Sequence, residues 1–230
     1  MQSSEALRNG VLARLPDVAR DELASIGARV VLKPGETLHT FGQVTSRLRF
    51  PLAGVISLTI PTSEGHNVEV ALVGCEGVQG VNSMLGAAPD LEAISQVAGD
   101  AIEVAIERIP PELMVALRRS VEQYAAGLLI ELAQTAACNR VHNVEERTAR
   151  WLLHAADRAR TSELRLTHEF MAMMLGVRRA SVTVVVGGFQ TAGLIKTERR
   201  LISIADREGL GEYTCECYGV IRDATSRCPD

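Results

Sequence analysis

A chain of 230 residues with 47% hydrophobic content can bury a core in one large domain or two modest ones. No apolar run approaches the ~18 residues of a membrane span, and MQSSEALRNG lacks a basic start leading into a hydrophobic stretch, so neither a span nor a secretory leader is expected. The net charge of −4 disfavours nucleic acid only until its distribution is read: residues 140–207 hold twelve Lys/Arg against seven Asp/Glu, about +5, which leaves about −9 elsewhere.

Residues 5–27 read as helical, with Leu7, Val11, Leu12, Leu15, Val18, Leu23 and Ile26 apolar and Pro16 marking a break. From Ala28 to about Ile106 the texture changes to short β-type runs between glycine turns. The run 29–32 ends at the turn Lys33-Pro34-Gly35, and 47–50 alternates charged and apolar residues up to Pro51. Residues 54–60 form a strand, Glu64-Gly65 makes a hairpin into 67–73, and further strands fit 94–97 and 101–106. Many short strands at nearly even spacing predict a closed or double-sheet β-roll.

From Pro111 to about Ala137 the period becomes helical and long. Leu117, Val121, Tyr124, Leu128, Leu132 and Thr135 recur at three- and four-residue steps, a seam suited to pairing with a second copy of the chain. The alternative is that this face packs on the β-roll. A second amphipathic helix carries Val144, Ala149, Trp151, Leu152 and Leu153 and ends near Ser162-Glu163.

Residues 166–195, LTHEFMAMMLGVRRASVTVVVGGFQTAGLI, read as two short helices joined by a tight turn. Thr167 is a good N-cap and Glu169 puts negative charge in the first turn. Phe170, Met173, Met174 and Val177 supply an apolar face, and Gly176 stands where the turn needs a left-handed backbone. The second helix opens with Arg178 and Arg179, followed by Ser181 and Thr183, and Gly193 closes it. Arginine at the start of a second helix suits a major groove, because its planar fork binds guanine O6 and N7 or clamps a phosphate. The β-branched run 181–186 and the pair Gly187-Gly188 argue locally for a strand. A helix is expected there all the same, because tertiary packing overrides propensity and Phe189 extends the apolar stripe.

Residues 196–204 read as a β-hairpin wing with Arg199 and Arg200 at its tip, able to reach a neighbouring phosphate. From Asp206 a short helix runs through Tyr218 into a frayed tail. Five scattered cysteines suit a reducing cytoplasm better than a disulfide framework. Cys215-Glu216-Cys217 with Cys228 invites a zinc reading, but four ligands at useful spacing are missing, so no metal is expected. Cys75, beside Glu76, is not favoured as a reactive thiolate. His39 and His66 are too far apart for a cupin-type metal site, and His142, His154 and His168 belong to the other half. With no Gly-x-Ser-x-Gly elbow either, no enzyme is expected.

The order β-roll, long helix, winged helix-turn-helix resembles the Crp/Fnr family of bacterial transcription regulators across nearly the whole chain. The most specific matches are Leu166-Thr167, residues 174–179, Ser181-Val182-Thr183, Gly193-Leu194-Ile195 and Ile202-Ser203-Ile204. Cys138-Asn139-Arg140, residues 144–147 and residues 149–153 are also similar. The resemblance implies an α+β fold. Its parts are a cyclic-nucleotide-binding-like β-roll (double-stranded β-helix) over 1–110, a dimerisation helix over 111–140 and a winged helix-turn-helix over 141–230. It implies a cytoplasmic homodimer on double-stranded DNA, with RNA polymerase as a further partner and no cofactor or membrane. The expected DNA contacts are Thr167, Arg178, Arg179, Ser181, Thr183, Arg199 and Arg200. Where cyclic-AMP-binding members carry an Arg-Ser pair, this chain has Glu92-Ala93, and a carboxylate there repels a cyclic phosphate. No cysteine precedes Cys75, which argues against the N-terminal iron-sulfur cluster of oxygen-sensing members. Ala180 and Val184 replace the family's Glu and second Arg on the recognition helix, so the operator should differ. The alternative reading is a sensor whose winged helix docks protein rather than DNA.

Overall fold

A computed structural model of the chain describes residues 3–63, 67–86, 91–225 and 228–229. The N-terminal helical region divides into α1 (Ser3–Ala6), α2 (Gly10–Ala13) and α3 (Asp17–Ile26). Two residues make the divisions. Pro16 precedes α3, and the buried Asn9 caps α2 by accepting from Val11 N and Leu12 N. The Asn9 amide also donates to Pro51 O at 2.9 Å and Gly77 O at 2.8 Å, which pins the helices to the sheet.

That sheet holds β1 (Ala28–Leu32), β2 (Thr37–His39), β3 (Arg47–Pro61), β4 (Asn67–Val73) and β5 (Glu92–Ala105). It is antiparallel throughout in the order β1-β5-β3-β4, with β2 also on β5. The runs 47–50 and 54–60, expected as two strands, are one; so are 94–97 and 101–106. Pro51 and Gly54 read as turn signals but sit at register shifts that bend β3 without ending it. A Cβ on Gly99 would lie 2.1 Å from Ala53 O, so the two bent strands cross too closely there for any side chain. The turn expected at Glu64-Gly65 lies outside the described residues, as does His66, while Pro61 pairs with Asn67 on either side of it.

A short α4 (Val81–Met84) leads across β5 to α5 (Pro111–Val141), which opens on proline at its first position. Here one expectation is corrected. Leu117, Val121, Tyr124 and Leu128 are buried against the β-roll in a core with Leu48, Phe50 and Ile102. Leu132 packs on that core from its edge, and Thr135 is buried too. This seam is an internal face of the protomer, and a second copy cannot reach it. The apolar period is real but its partner is the β-roll; the opposite face of the helix is apolar as well, so the period does not choose between them.

The C-terminal half contains α6 (Val144–Ala159), β6 (Glu163–Arg165), α7 (His168–Leu175), α8 (Arg179–Thr191), β7 (Ile195–Glu198), β8 (Leu201–Ile204), α9 (Arg207–Glu212) and α10 (Cys217–Ala224). Asn143 and Glu146 form a capping box at the start of α6. β6 was not expected; it completes a three-stranded sheet in the order β6-β8-β7. The single helix expected from Asp206 through Tyr218 is instead α9 and α10 with a break between them. α10 packs along α5 and brings Cys215 and Cys217 to Cys138 and His142, supplying the donors that linear spacing lacks. Cys75 and Cys228 form a disulfide with Cα atoms 5.1 Å apart, against the expectation of free thiols throughout. Among the described residues no single helix is long and apolar enough to cross a membrane.

The two halves share a buried polar junction. Arg158 on α6 donates to Glu76 Oε1 at 2.9 Å and to Glu131 Oε2 of α5 at 2.7 Å. Glu131 accepts from Leu72 N, and Trp151 Nε1 donates to Glu69 Oε1 at 2.7 Å. Removing the Arg158 cation alone would strand two buried carboxylates, a cost of about 3–5 kcal/mol. Val55, Leu72 and Val97 of the β-roll enter the apolar cluster of the C-terminal half beside Trp151.

Burial pushes the Glu69 carboxyl from 4.5 up to about 8, against hydrogen bonds from Ser57 and Trp151 that pull it down. The folded chain therefore holds a proton that the unfolded chain releases. This contribution to stability is fully present below the unfolded value, declines as pH rises toward about 8 and levels off above it. Glu69→Gln should flatten that decline and raise the urea midpoint at pH 8 relative to the parent, as chemical denaturation between pH 5 and 9 will show.

Candidate nucleic-acid interface

Two helices crossing at 113° form the helix-turn-helix. Thr167 caps α7 by accepting from Phe170 N at 3.1 Å, and Gly176 ends it with φ 62°. Arg147, itself buried on α6, donates through Nη2 to Leu175 O, the carbonyl just before that turn. Met171, Ala172, Met174 and Leu175 of α7 face Val182, Val186 and Phe189 of α8 in one apolar cluster. Those three positions of α8 are spaced four and three apart, as a helix requires and a strand would not. The β-branched run is thus helical because its inner residues are buried and its outer ones are free.

The outer face of α8 carries Arg179, Ala180, Thr183, Val184, Gly187 and Gly188, all exposed. Val184 is 74% exposed, an apolar side chain left largely in solvent. A Cβ on Gly187 or Gly188 would meet nothing within 4 Å, so packing inside the protomer does not call for glycine at either position. Arg178 is the N-cap residue of α8 but makes no side-chain cap. The first turn of the helix, with its positive dipole end, is thus left facing outward between two arginines. Ser181 lies half-buried in the first turn.

The wing is a two-residue hairpin in which Glu198 pairs with Leu201. Both residues at its tip, Arg199 and Arg200, have positive φ, 37° and 74°. A turn of this hand favours Asn-Gly, so two arginines there hold a backbone that costs each about 1–2 kcal/mol. Such strain is concentrated where function needs it. A cleft of about 380 Å³ separates wing from helices and is lined by Thr167, Arg179, Arg199 and Arg200, with Glu169 and Glu198 offsetting part of the charge. Four of the seven expected contact residues therefore meet at one cleft, while Arg178, Ser181 and Thr183 lie along the start of α8.

Two details were not foreseen. His168 Nδ1 lies 3.1 Å from Thr183 Oγ1, whose hydroxyl donates to Arg179 O at 3.1 Å. The Thr183 hydroxyl is thereby occupied, and the histidine ties α7 to α8 at the front of the motif. The signal in the sequence was the position of His168 directly after the N-cap Thr167, which puts it at the open end of α7.

A β-roll followed by a long helix and a winged helix-turn-helix is a distinctive class of architecture. Residues 146–213 match the family model of the Crp-like helix-turn-helix domain. Similar folds include a CRP-family transcriptional regulator from Thermus thermophilus, with 19% identity and TM-score 0.65 over 80% of this chain and 95% of that one. A second regulator from the same organism, of the CRP/FNR family, gives 23% identity and TM-score 0.62 over 81% and 97%. FixK2 from Bradyrhizobium japonicum gives 17% and 0.67 over 83% and 98%. No curated protein matches the chain by sequence. Residues 146–213 are thus a Crp-like helix-turn-helix domain, set in a fold similar to that of CRP/FNR-family regulators along most of the chain.

Replacing the wing tip by Arg199→Asn with Arg200→Gly should relieve the left-handed strain. The expected gain is about 2–4 kcal/mol over the two positions, read as a higher melting midpoint in differential scanning calorimetry.

Proposed function

We propose that this chain is a sequence-specific, DNA-binding transcription regulator that works in the cytoplasm as a homodimer. The observation that carries the reading is the cleft on which Thr167, Arg179 and the strained arginine tip of the wing converge, with Arg178 exposed beside it at the N-cap of α8. The first turn of α8 enters the major groove, Arg179 reads a base edge and Arg178, Arg199 and Arg200 hold phosphates. Val184 and Ala180, where relatives carry polar readers, make apolar contact with thymine methyl groups. Residues 141–230 form the DNA-reading module, residues 111–140 the dimer helix and residues 1–110 the sensor.

The dimer uses the face of α5 turned away from the β-roll. Glu122, Ala126, Leu129, Ala133, Ala136 and Arg140 are exposed and recur at alternating four- and three-residue steps, the period of a two-stranded seam. Leu129 is 68% and Ile130 45% exposed, apolar surface that a second copy would cover. Alanine on either side lets the two helices approach closely. Two recognition helices then lie about one DNA turn (~34 Å) apart.

The signal that reaches the sensor is not cyclic AMP. Glu92 accepts from Thr59 Oγ1 at 3.1 Å and from Asn67 Nδ2, so the carboxylate is held in the strand region where a cyclic phosphate would need a cation. A signal acting on the β-roll has a direct route to the reading module through the Glu69–Trp151 and Glu76–Arg158–Glu131 contacts.

Arg178→Ala should weaken binding to all DNA sequences and lower the salt slope of log K by about one. Arg179→Ala should relax preference at one base pair by ~1–3 kcal/mol. Binding of the double variant to promoter fragments at parental affinity, measured by fluorescence anisotropy at several salt concentrations, would refute the DNA assignment. In sedimentation equilibrium Leu129→Glu should yield monomers with an unchanged circular dichroism spectrum, whereas Leu117→Glu should unfold the β-roll instead.

A further inference from the structure

We propose that Cys138, His142, Cys215 and Cys217 form a mononuclear Cys₃His site for a zinc-class divalent cation, which clamps the C-terminal helix to the end of the long helix. The four donor atoms all lie within 4.8 Å of one another. Cys138 Sγ is 3.6 Å from Cys215 Sγ, and Cys217 Sγ is 3.5 Å from His142 Nδ1. A tetrahedral ion with metal–sulfur bonds of about 2.3 Å and metal–nitrogen bonds of about 2.0 Å spaces its ligand atoms by roughly 3.5–3.8 Å. Both of these separations match the edges of a closed four-ligand shell, and the remaining pairs, all within 4.8 Å, need only side-chain adjustment to reach it. Donors this close fit one ion; the cysteines of an iron-sulfur cluster spread around several irons.

The surroundings fit the same chemistry. All three cysteines are free and buried, and His142 is partly buried. Cys138 and His142 are four residues apart at the end of α5, so they face the same side, and Cys215 and Cys217 bracket the start of α10. Glu216 Oε2 lies 3.2 Å from His142 Nε2. A carboxylate on the outer ring nitrogen directs Nδ1 inward and orients the imidazole, as it does for metal-bound histidines generally. Gln134 Nε2 donates to Cys217 Sγ at 3.1 Å, a hydrogen bond that stabilises a thiolate. The ordinary alternative is that three thiols pack as small apolar side chains. That alternative gives no reason for a histidine, held by its own carboxylate, to turn its second nitrogen toward the sulfurs.

The location gives the site a consequence. α5 ends at Val141 and α6 begins at Val144, so His142 sits in the joint between the long helix and the reading module. A Cβ on Gly127 would lie 2.5 Å from Ala224 O, so α10 runs directly against α5 and the ion would fix its near end there.

The full-length protein, with its Cys75–Cys228 disulfide intact, loaded with Zn²⁺ and freed of excess metal, should retain about one zinc per chain by inductively coupled plasma mass spectrometry. Co²⁺ loading should give the intense visible absorption of a tetrahedral thiolate site. Titration of the zinc-loaded parent with an organomercurial should release the metal in step with modification of three thiols, a readout that needs no variant to fold. Cys138→Ser and Cys215→Ser should each lower zinc affinity at least 100-fold, while the Cys75→Ser/Cys228→Ser double variant keeps it. Zinc well below one per chain after loading, an octahedral cobalt spectrum, or retention of zinc by a folded Cys138→Ser/Cys215→Ser variant would overturn the site. None of these outcomes bears on DNA binding.

Discussion

Arg158 stands between Glu76 and Glu131 with almost no contact with water, and the three residues come from three different parts of the chain. Glu76 follows β4, Glu131 lies mid-way along α5 and Arg158 is near the end of α6. Burying one cation and two anions is expensive, and their attraction repays the cost only when the geometry is held by further hydrogen bonds. Those bonds are present: Gly74 N donates to Glu76, and Leu72 N to Glu131. The β-roll, the long helix and the reading module therefore share one electrostatic knot. Displacement of any of the three is felt by the other two.

The reading face is built on a different principle. α8 is stabilised from one side only, through Val182, Val186 and Phe189, and Phe189 meets Tyr213 edge-on at 5.5 Å between ring centres. The outer side contributes β-branched residues and two glycines that no packing within the protomer demands. The wing goes further and holds two arginines in a backbone that neither favours. Stability is thus concentrated behind the surface and given up on it, as expected where exposed groups are selected for what they touch outside the molecule.

Much of this can be read from residue order. The helix-turn-helix is legible because its caps are local: Thr167, Gly176 and the arginine pair announce themselves within a few positions. The strand 67–73 is legible for the same reason. What stays hidden depends on distant partners. Pro51 and Gly54 carry turn chemistry, and only the pairing of β3 with β5 shows that they bend a continuous strand. The face of α5 bearing Leu117 and Tyr124 is periodic, but so is the opposite face with Ala126 and Leu129, and periodicity alone does not say which one meets the β-roll. Cys138 and His142 look unrelated to Cys215 and Cys217 because a whole winged helix lies between them in the chain. The link between Cys75 and Cys228 is hidden by a separation of 153 residues.

That last link changes the mechanics of the molecule. The C-terminal half leaves the β-roll through α5 and, at Cys228, is bolted back onto it beside β4. A covalent loop spanning 153 positions thereby closes around the junction between the two halves. Reduction would open that loop and leave the halves held by the Glu76–Arg158–Glu131 contacts and by the apolar cluster that Val55, Leu72 and Val97 share with Trp151.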